Sequence, residues 1–517
     1  VTPKLIGKTN HTSTFPSESM RERLAIGFLL IAASLLLLLN LGNQYLWQDE
    51  AQTALIATTV LKHGVPLGYD GKNYFSQQSG AEYGKNYIWR WHTWFPFYLL
   101  AAFFAAFGKS TFVARFPFAL FGIATIILTY YAGKQLWGTR RAGFLSAAAL
   151  LVTVPFFLLA RQCRLYSPAM FFSLFGLYAY IGATESRKHS LLLFCISAIL
   201  LFHTFYVYYA SLLATVVVHS LIFRRSYVRR ILKAAGLTLA VNLPWIAWLS
   251  GMKYADKYGS NLLNIPLAFG QTKHFLYLLS KYVVPWWLFL LPLLAWAINS
   301  FRRRRISTPD VKIASNTCLM LFFAFFTIAM IALSSPAPFF RYVAPLVPVC
   351  SLFIGLMLES IAGLHPAIAL AGLAVIGITG QLPDYLYEIT HDYDGPIEGI
   401  VKYLKENAKP DDIVAVTYED LPIKFYTNLR VVGGLTGEDL KPALNADWVI
   451  IRKYIVSKLA FENTRYFEQN IPWEKYERIP LLGYPDIEFE NREGPEEHLF
   501  RTAENEQPVI IYHKLFD

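Results

Sequence analysis

MRERLAIGFLLIAASLLLLLNLGNQYLWQDE, residues 20–50, sets the frame for the whole protein. Arg21 and Arg23 precede an apolar run at 24–41, and Asp49 and Glu50 follow it. About 20 apolar residues span the hydrocarbon core of a bilayer, and basic residues collect on its cytoplasmic side. The stretch therefore reads as a first crossing that leaves residues 1–23 in the cytoplasm and delivers two acids to the outer face. No small-residue cleavage site follows the run, so it is expected to remain as an anchor.

Ten more apolar runs follow, at 112–132, 143–160, 168–182, 190–203, 206–223, 231–250, 282–299, 313–334, 342–358 and 364–380. Lys134/Arg140/Arg141, Arg187/Lys188, Arg224/Arg225/Arg229/Arg230 and Arg302 to Arg305 fall in alternate gaps between them. The alternation predicts a polytopic α-helical membrane protein of about eleven transmembrane helices over 24–380. It requires 93–107 (TWFPFYLLAAFFAAF) to lie at the interface as a surface helix. If 93–107 crosses instead, the basic residues of 134–141 fall outside. The first outer loop is then 42–111, with a helix at 50–63 stopped by Gly64 and Pro66. A further surface helix fits the outer loop at 251–281.

Composition agrees. Of 517 residues, 55% are hydrophobic and 16% charged, with 39 Phe and 31 Tyr, far from a soluble balance. The net charge of +11 divides unevenly, since residues 1–380 carry 32 Lys/Arg against 10 Asp/Glu and residues 381–517 carry 15 against 26. Basic residues scattered between apolar runs do not make a nucleic-acid surface. Cys163, Cys195, Cys318 and Cys350 lie in or beside apolar stretches and suggest neither a disulfide framework nor a zinc site. Beyond Pro383, EGIVKYLKENA (398–408) reads as a helix, DIVAVT (412–417) as a strand, YEDLPIKFYTN as a short helix, and LRVVGG and ADWVIIRK as strands. The alternation predicts a soluble C-terminal α/β domain at 381–517, periplasmic or extracellular.

The outer face also collects charge against the positive-inside trend. Lys85, Arg90 and His92 precede the interfacial segment, Arg115 opens the second crossing, and Arg161 and Arg164 end the third beside Tyr166. His203 sits at a turn, Lys281 opens the eighth crossing, and Arg341 with Tyr342 opens the tenth. Ionisable groups at such positions usually have a partner or a function, and guanidinium forks match phosphate geometry. An anionic ligand at the outer surface follows. Plainer readings stand beside it. Asp49-x-x-Gln52 fits a capping box with Glu50 at the positive end of the helix dipole, Arg115 fits a snorkelling anchor, and His92 and His203 fit backbone partners. A divalent metal between Asp49 and Glu50 is open but rests on two acids alone.

LWQDEAQTALIATTVLKHGVP (46–66), FGKSTFVARFPFALFG (107–122), ARQCRLYSPAM (160–170) and FFRYVAPLVP (339–348) together resemble the bacterial GT-C glycosyltransferases, which include the protein O-mannosyltransferases and the lipid A aminoarabinose transferase. The resemblance implies an inverting transfer of sugar from a polyprenyl-monophosphate carrier to a lipid, glycan or protein hydroxyl on the extracytoplasmic face. It makes Asp49 the candidate base and Glu50 the second acid of the motif. It sets Lys85, Arg90 or His92 in the region of a basic contact to the donor phosphate, and it implies a bacterial inner membrane. The outer charge itself makes Arg161, Arg164, Tyr166, Arg341 and Tyr342 candidates for that phosphate, and His203 and Lys281 further substrate contacts. Where the lipid A enzyme carries an Asp before its fourth crossing, this sequence reads Tyr166-Ser167-Pro168, which separates the two in acceptor or substrate. The alternative is a transporter or flippase for a lipid-linked anionic glycan, which explains the arginines but not the large outer loop.

A topology reporter fused after Ser360 should read cytoplasmic and one after Asp517 extracytoplasmic. An extracytoplasmic signal after Ser226 would overturn the order of crossings.

Overall fold

The computed structural model describes residues 18–249, 264–293, 297, 311–363, 365–392, 394–453, 457–487, 494–500 and 506–515. Residues 251–263 of the second outer loop, Arg302 to Arg305 and most of 294–299 lie outside them. Every apolar run within the described residues forms helix. In order along the sequence these are α1 (Glu18–Leu38), α2 (Gln48–His63), α3 (Phe95–Phe107), α4 (Thr111–Trp137), α5 (Arg140–Leu151), α6 (Val154–Ala160), α7 (Tyr166–Thr184), α8 (Ser190–Thr204), α9 (Tyr206–Phe223), α10 (Val228–Leu249), α11 (Ile265–Tyr282), α12 (Val311–Ser334), α13 (Leu346–Ala362), α14 (Pro366–Thr379) and α15 (Leu382–Thr390).

The expected count of eleven crossings is too high by length and composition. Among the described residues four helical spans, Thr111–Trp137, Tyr206–Phe223, Arg225–Leu249 and Val311–Ser334, are long and apolar enough. Three bent pairs raise the number to seven if each is one span: α5 with α6 at 69°, α11 with Trp286–Leu293 at 81°, and α14 with α15 at 64°. α3, α8 and α13 are apolar but shorter. Any full-length span of α1 takes in Arg21, Glu22 and Arg23, and α7 is diluted by Tyr166, Tyr178 and Tyr180. The protein is a polytopic helical membrane protein with a soluble C-terminal domain.

Small residues bring the membrane helices together, as expected where lipid supplies no hydrophobic drive between them. A Cβ on Gly355 of α13 would lie 2.6 Å from the backbone nitrogen of Ser146 in α5. One on Gly143 of α5 would lie 2.5 Å from the Tyr130 carbonyl of α4. α5 is thus held between α4 and α13 at backbone contact.

The soluble domain begins with α16 (Pro396–Asn407) and alternates β1 (Ile413–Val416), α17 (Asp420–Thr427), β2 (Arg430–Gly433) and β3 (Trp448–Ile450), matching the sequence pattern. Then come α18 (Lys458–Asn470), β4 (Tyr476–Pro485) and β5 (Pro508–Lys514), which the pattern did not show. The sheet order is β2-β1-β3-β5-β4. β1 pairs in parallel with β2 and β3, while β5 runs antiparallel between β3 and β4. Val414, Val416, Val431 and Ile450 bury one face with α16, and Ala415, Val432 and Val449 bury the other with Phe467 of α18.

Gly355→Ala should lower stability by about 1–3 kcal/mol through overpacking. Gly27→Ala, with nothing within 4 Å of the new methyl, should not. Thermal unfolding in detergent compares them, and equal melting of both variants would remove the α5–α13 contact from the account.

Candidate active site

α2 starts at Gln48 and stops where Gly64 turns left-handed at φ 73°. Its N-cap is Trp47, whose indole makes no capping bond, so the expected capping box does not form. The amide of Gln52 donates instead to the Phe75 carbonyl at 2.9 Å. Asp49 and Glu50 both lie in the first turn, where the helix dipole favours negative charge. Neighbouring helix positions point about 100° apart, and the two acids separate accordingly.

Glu50 turns inward and is fully buried. One carboxylate oxygen accepts from Arg115 Nε at 2.8 Å and from the Cys163 N–H at 2.7 Å. The other accepts from Arg115 Nη2 at 2.6 Å. Glu50 is therefore a partner of Arg115, with both carboxylate oxygens taken up by N–H donors. Among the described residues no three His, Cys, Asp or Glu side chains gather to hold one. Arg115 is likewise no lipid anchor, because it is buried.

Asp49 faces a cavity of about 270 Å³ at the outer end of the helices. Arg164, in the turn between α6 and α7, donates through Nη1 to the Asp49 carbonyl at 3.0 Å and to Thr53 Oγ1 at 3.1 Å. Its Nη2 stands 3.3 Å from Asp49 Oδ2. Across the cavity Arg341 lies in a short 3-10 helix, Phe340–Val343, with its guanidinium carbon 4.4 Å from the centroid of the Phe339 ring. Tyr166, Tyr342 and His92 complete the predicted residues that line it. His92 is buried beside Phe97, and burial, aided by the charge of Arg164, pushes its pKa down to about 3. Its ring is neutral at pH 7.

Six other predicted residues do not line this cavity. Glu50 is one. Lys85 is exposed, and Arg90 lies 4.8 Å over the Trp248 ring. Arg161 donates to the carbonyls of Leu36, Leu37, Leu39 and Asn40, and its guanidinium so caps the C-terminal end of α1. His203 packs edge-on to Trp245. Lys281 lines a separate cavity of about 350 Å³ where the three bent helix pairs meet, with no acid among its described lining residues. Sequence reasoning missed Gln52, Gln77, Gln78, Glu82, Tyr206 and Ser335, which also line the site. Gln77, Gln78 and Glu82 sit in an irregular loop with no periodic pattern; Ser335 could have been found from its place just before Arg341. A second opening of about 550 Å³ shares Asp49, Gln77, Gln78 and Arg341 and reaches Tyr418, Ser457 and Lys458 of the soluble domain.

Residues 92–248 match the profile of the family described as dolichyl-phosphate-mannose-protein mannosyltransferase. Over 155 residues the protein is 30% identical to undecaprenyl phosphate-alpha-4-amino-4-deoxy-L-arabinose arabinosyl transferase 1 of Pseudomonas fluorescens (strain Pf0-1), covering 29% of this sequence and 24% of the relative. The matched stretch thus spans about a quarter of that relative's length. The apo structure of ArnT from Cupriavidus metallidurans superposes with a TM-score of 0.59 at 14% identity, covering 95% of this protein and 98% of that one. The protein has the fold of ArnT. The same ArnT bound to undecaprenyl phosphate gives 0.57 at 14% identity, over 96% and 98%. An oligosaccharyltransferase from Archaeoglobus fulgidus superposes more loosely, at 0.50 and 13% identity over 90% and 70%.

The neutral His92 makes a stability prediction. An unfolded histidine titrates near pH ~6.5, whereas here the folded pKa is depressed to about 3. The contribution is complete above the unfolded pKa and is lost as pH falls toward the folded one, with a slope of up to about 1.4 kcal/mol per pH unit. His92→Asn should flatten the decline of unfolding free energy between pH ~6.5 and ~5. An unchanged slope would show that the ring is protonated in the fold.

Proposed function

We propose that the protein is an inverting glycosyltransferase that moves a sugar from a polyprenyl-monophosphate carrier to an acceptor hydroxyl on the extracytoplasmic face. The observation that carries this reading is one cavity lined by a carboxylate, Asp49, and by two guanidinium groups, Arg164 and Arg341. The solved ArnT bound to undecaprenyl phosphate supports the choice of carrier class.

The chemistry asks for little more. The acceptor oxygen attacks the anomeric carbon from the side opposite the phosphate. Its proton passes to the Asp49 carboxylate, and the bond from the anomeric carbon to the phosphate oxygen breaks. The electron pair leaves with the polyprenyl phosphate, whose added charge is met by fixed guanidinium groups in place, so no proton is needed there. One displacement inverts the centre. Arg164 Nη2 stands 3.3 Å from Asp49 Oδ2, so carboxylate and guanidinium are already side by side at the reacting end of the cavity. The neutral His92 adds no competing charge at the same wall. The second opening offers the acceptor an approach from the soluble domain.

Asp49→Asn keeps the shape of the first turn but cannot take a proton. It should fold and bind polyprenyl phosphate while losing at least ~100-fold in turnover at saturating donor and acceptor. Near-normal turnover would sink the assignment. Arg341→Ala should weaken binding of polyprenyl phosphate by about 10- to 100-fold, and Arg341→Lys should recover only part of it. Arg141→Ala, which loses only its contact with Glu359, should bind normally. Glu50→Gln should act on melting temperature before it acts on turnover.

A further inference from the structure

Residues 45–50 are suspended between two parts of the protein. Trp47 Nε1 donates to Gln162, Asp49 meets Arg164, and Glu50 meets Arg115, all in the membrane part of the protein. The other contacts reach the soluble domain. The Tyr45 N–H donates to Glu398 at 2.5 Å, and its ring stacks on Tyr426 at 4.1 Å. The Leu46 N–H donates to Tyr426 Oη at 2.9 Å. Gln48 is held at both ends of its amide, its Nε2 donating to Asp420 Oδ1 at 2.9 Å and its Oε1 accepting from the Leu421 N–H at 3.3 Å.

We infer that the soluble domain is a positioning element of the transfer reaction, in which α17, through Asp420 and its grip on Gln48, sets the first turn of α2 and so the direction of Asp49. The inference rests on the reading of Asp49 as the proton acceptor. Three observations carry it. The Trp47 indole does not cap α2, so tertiary contacts must orient its first turn. Asp420 is itself fixed by Lys424 at 2.5 Å, and both side chains are wholly buried. Apolar residues would join two domains with less desolvation, whereas a buried pair with a third polar partner also fixes direction. Lys424 further donates to the Tyr74 carbonyl at 2.9 Å. Asn73 bridges to β2, donating to the Leu429 carbonyl at 2.8 Å and accepting from the Val431 N–H at 2.9 Å. The loop that carries Gln77, Gln78 and Glu82 is thus held by the same domain. The soluble domain supports both the helix bearing Asp49 and the wall facing it.

The Gln48–Asp420 pair permits an exchange of polarity. Gln48→Glu sets a second carboxylate against Asp420 and removes the donor. Adding Asp420→Asn restores one donor and one acceptor, keeps one negative charge beside Lys424, and leaves the Leu421 N–H bonded. Turnover is measured per polyprenyl-phosphate-binding site, so that unfolded molecules do not count. Gln48→Glu should lower kcat roughly 10- to 100-fold, as misplacement by about an ångström does, with donor KM changed less than about twofold because Arg341 is untouched. The double variant should recover most of the loss. A double variant no better than Gln48→Glu, with both binding the lipid at full stoichiometry, would overturn the inference. Gln48→Met carries the test if Gln48→Glu does not fold, since it keeps volume and leaves Asp420–Lys424 intact. Normal kcat in Gln48→Met beside an inactive Asp49→Asn refutes the positioning role alone. An active Asp49→Asn refutes the reading beneath it.

Discussion

A carboxylate without exposed surface holds the outer end of this protein together. Glu50 and Arg115 form a buried ion pair, and each buried ion costs several kcal/mol of lost hydration. The cost is offset because both groups are fully engaged. Glu50 receives three N–H donors, and Arg115 adds bonds to the carbonyls of Leu41, Gln44 and Tyr45. Four segments meet there: the end of the first helix, the start of α2, α4, and the turn that carries Cys163 and Arg164. The pair turns one acid inward, and helix geometry then leaves its neighbour Asp49 facing the cavity.

The outer arginines divide by what they meet. Arg161 is used on main-chain carbonyls at the C-terminal end of α1, and Arg115 on Glu50 and on the carbonyls of Leu41, Gln44 and Tyr45 in the segment between α1 and α2. Arg164 and Arg341 line the cavity instead. All four look alike as residues placed against the positive-inside trend. What separates them is a set of backbone carbonyls brought close by folding, which no residue type or spacing announces. Lys85, Arg90, His203 and Lys281 show the same limit: charge near an outer helix end locates a face, and only packing locates a site.

The soluble domain was legible where its strands are buried on both sides. β1, β2 and β3 are short apolar runs between helices, the mark of a parallel core. β4 escaped because it is an edge strand with few buried side chains and two prolines, and its sequence YERIPLLGYP lacks clean alternation. β5, its antiparallel neighbour, arrives only after a long connection. The contact of α17 with Gln48 spans 372 residues of sequence and left no local signal.

The helical membrane class and the α/β character of the tail were both legible in the residues alone. Each follows from hydropathy, charge side or short-range period, properties a residue carries into any structure. Crossing number was misjudged from the same signal, since an apolar run shows a helix without showing whether it is straight or long enough. Only the tertiary structure decided that Asp49 faces the cavity while Glu50 does not, and that the soluble domain grips the residue between Trp47 and Asp49. The reason is that the role of each residue here depends on which donors and acceptors folding leaves unmatched beside it, and those partners come from segments hundreds of residues apart.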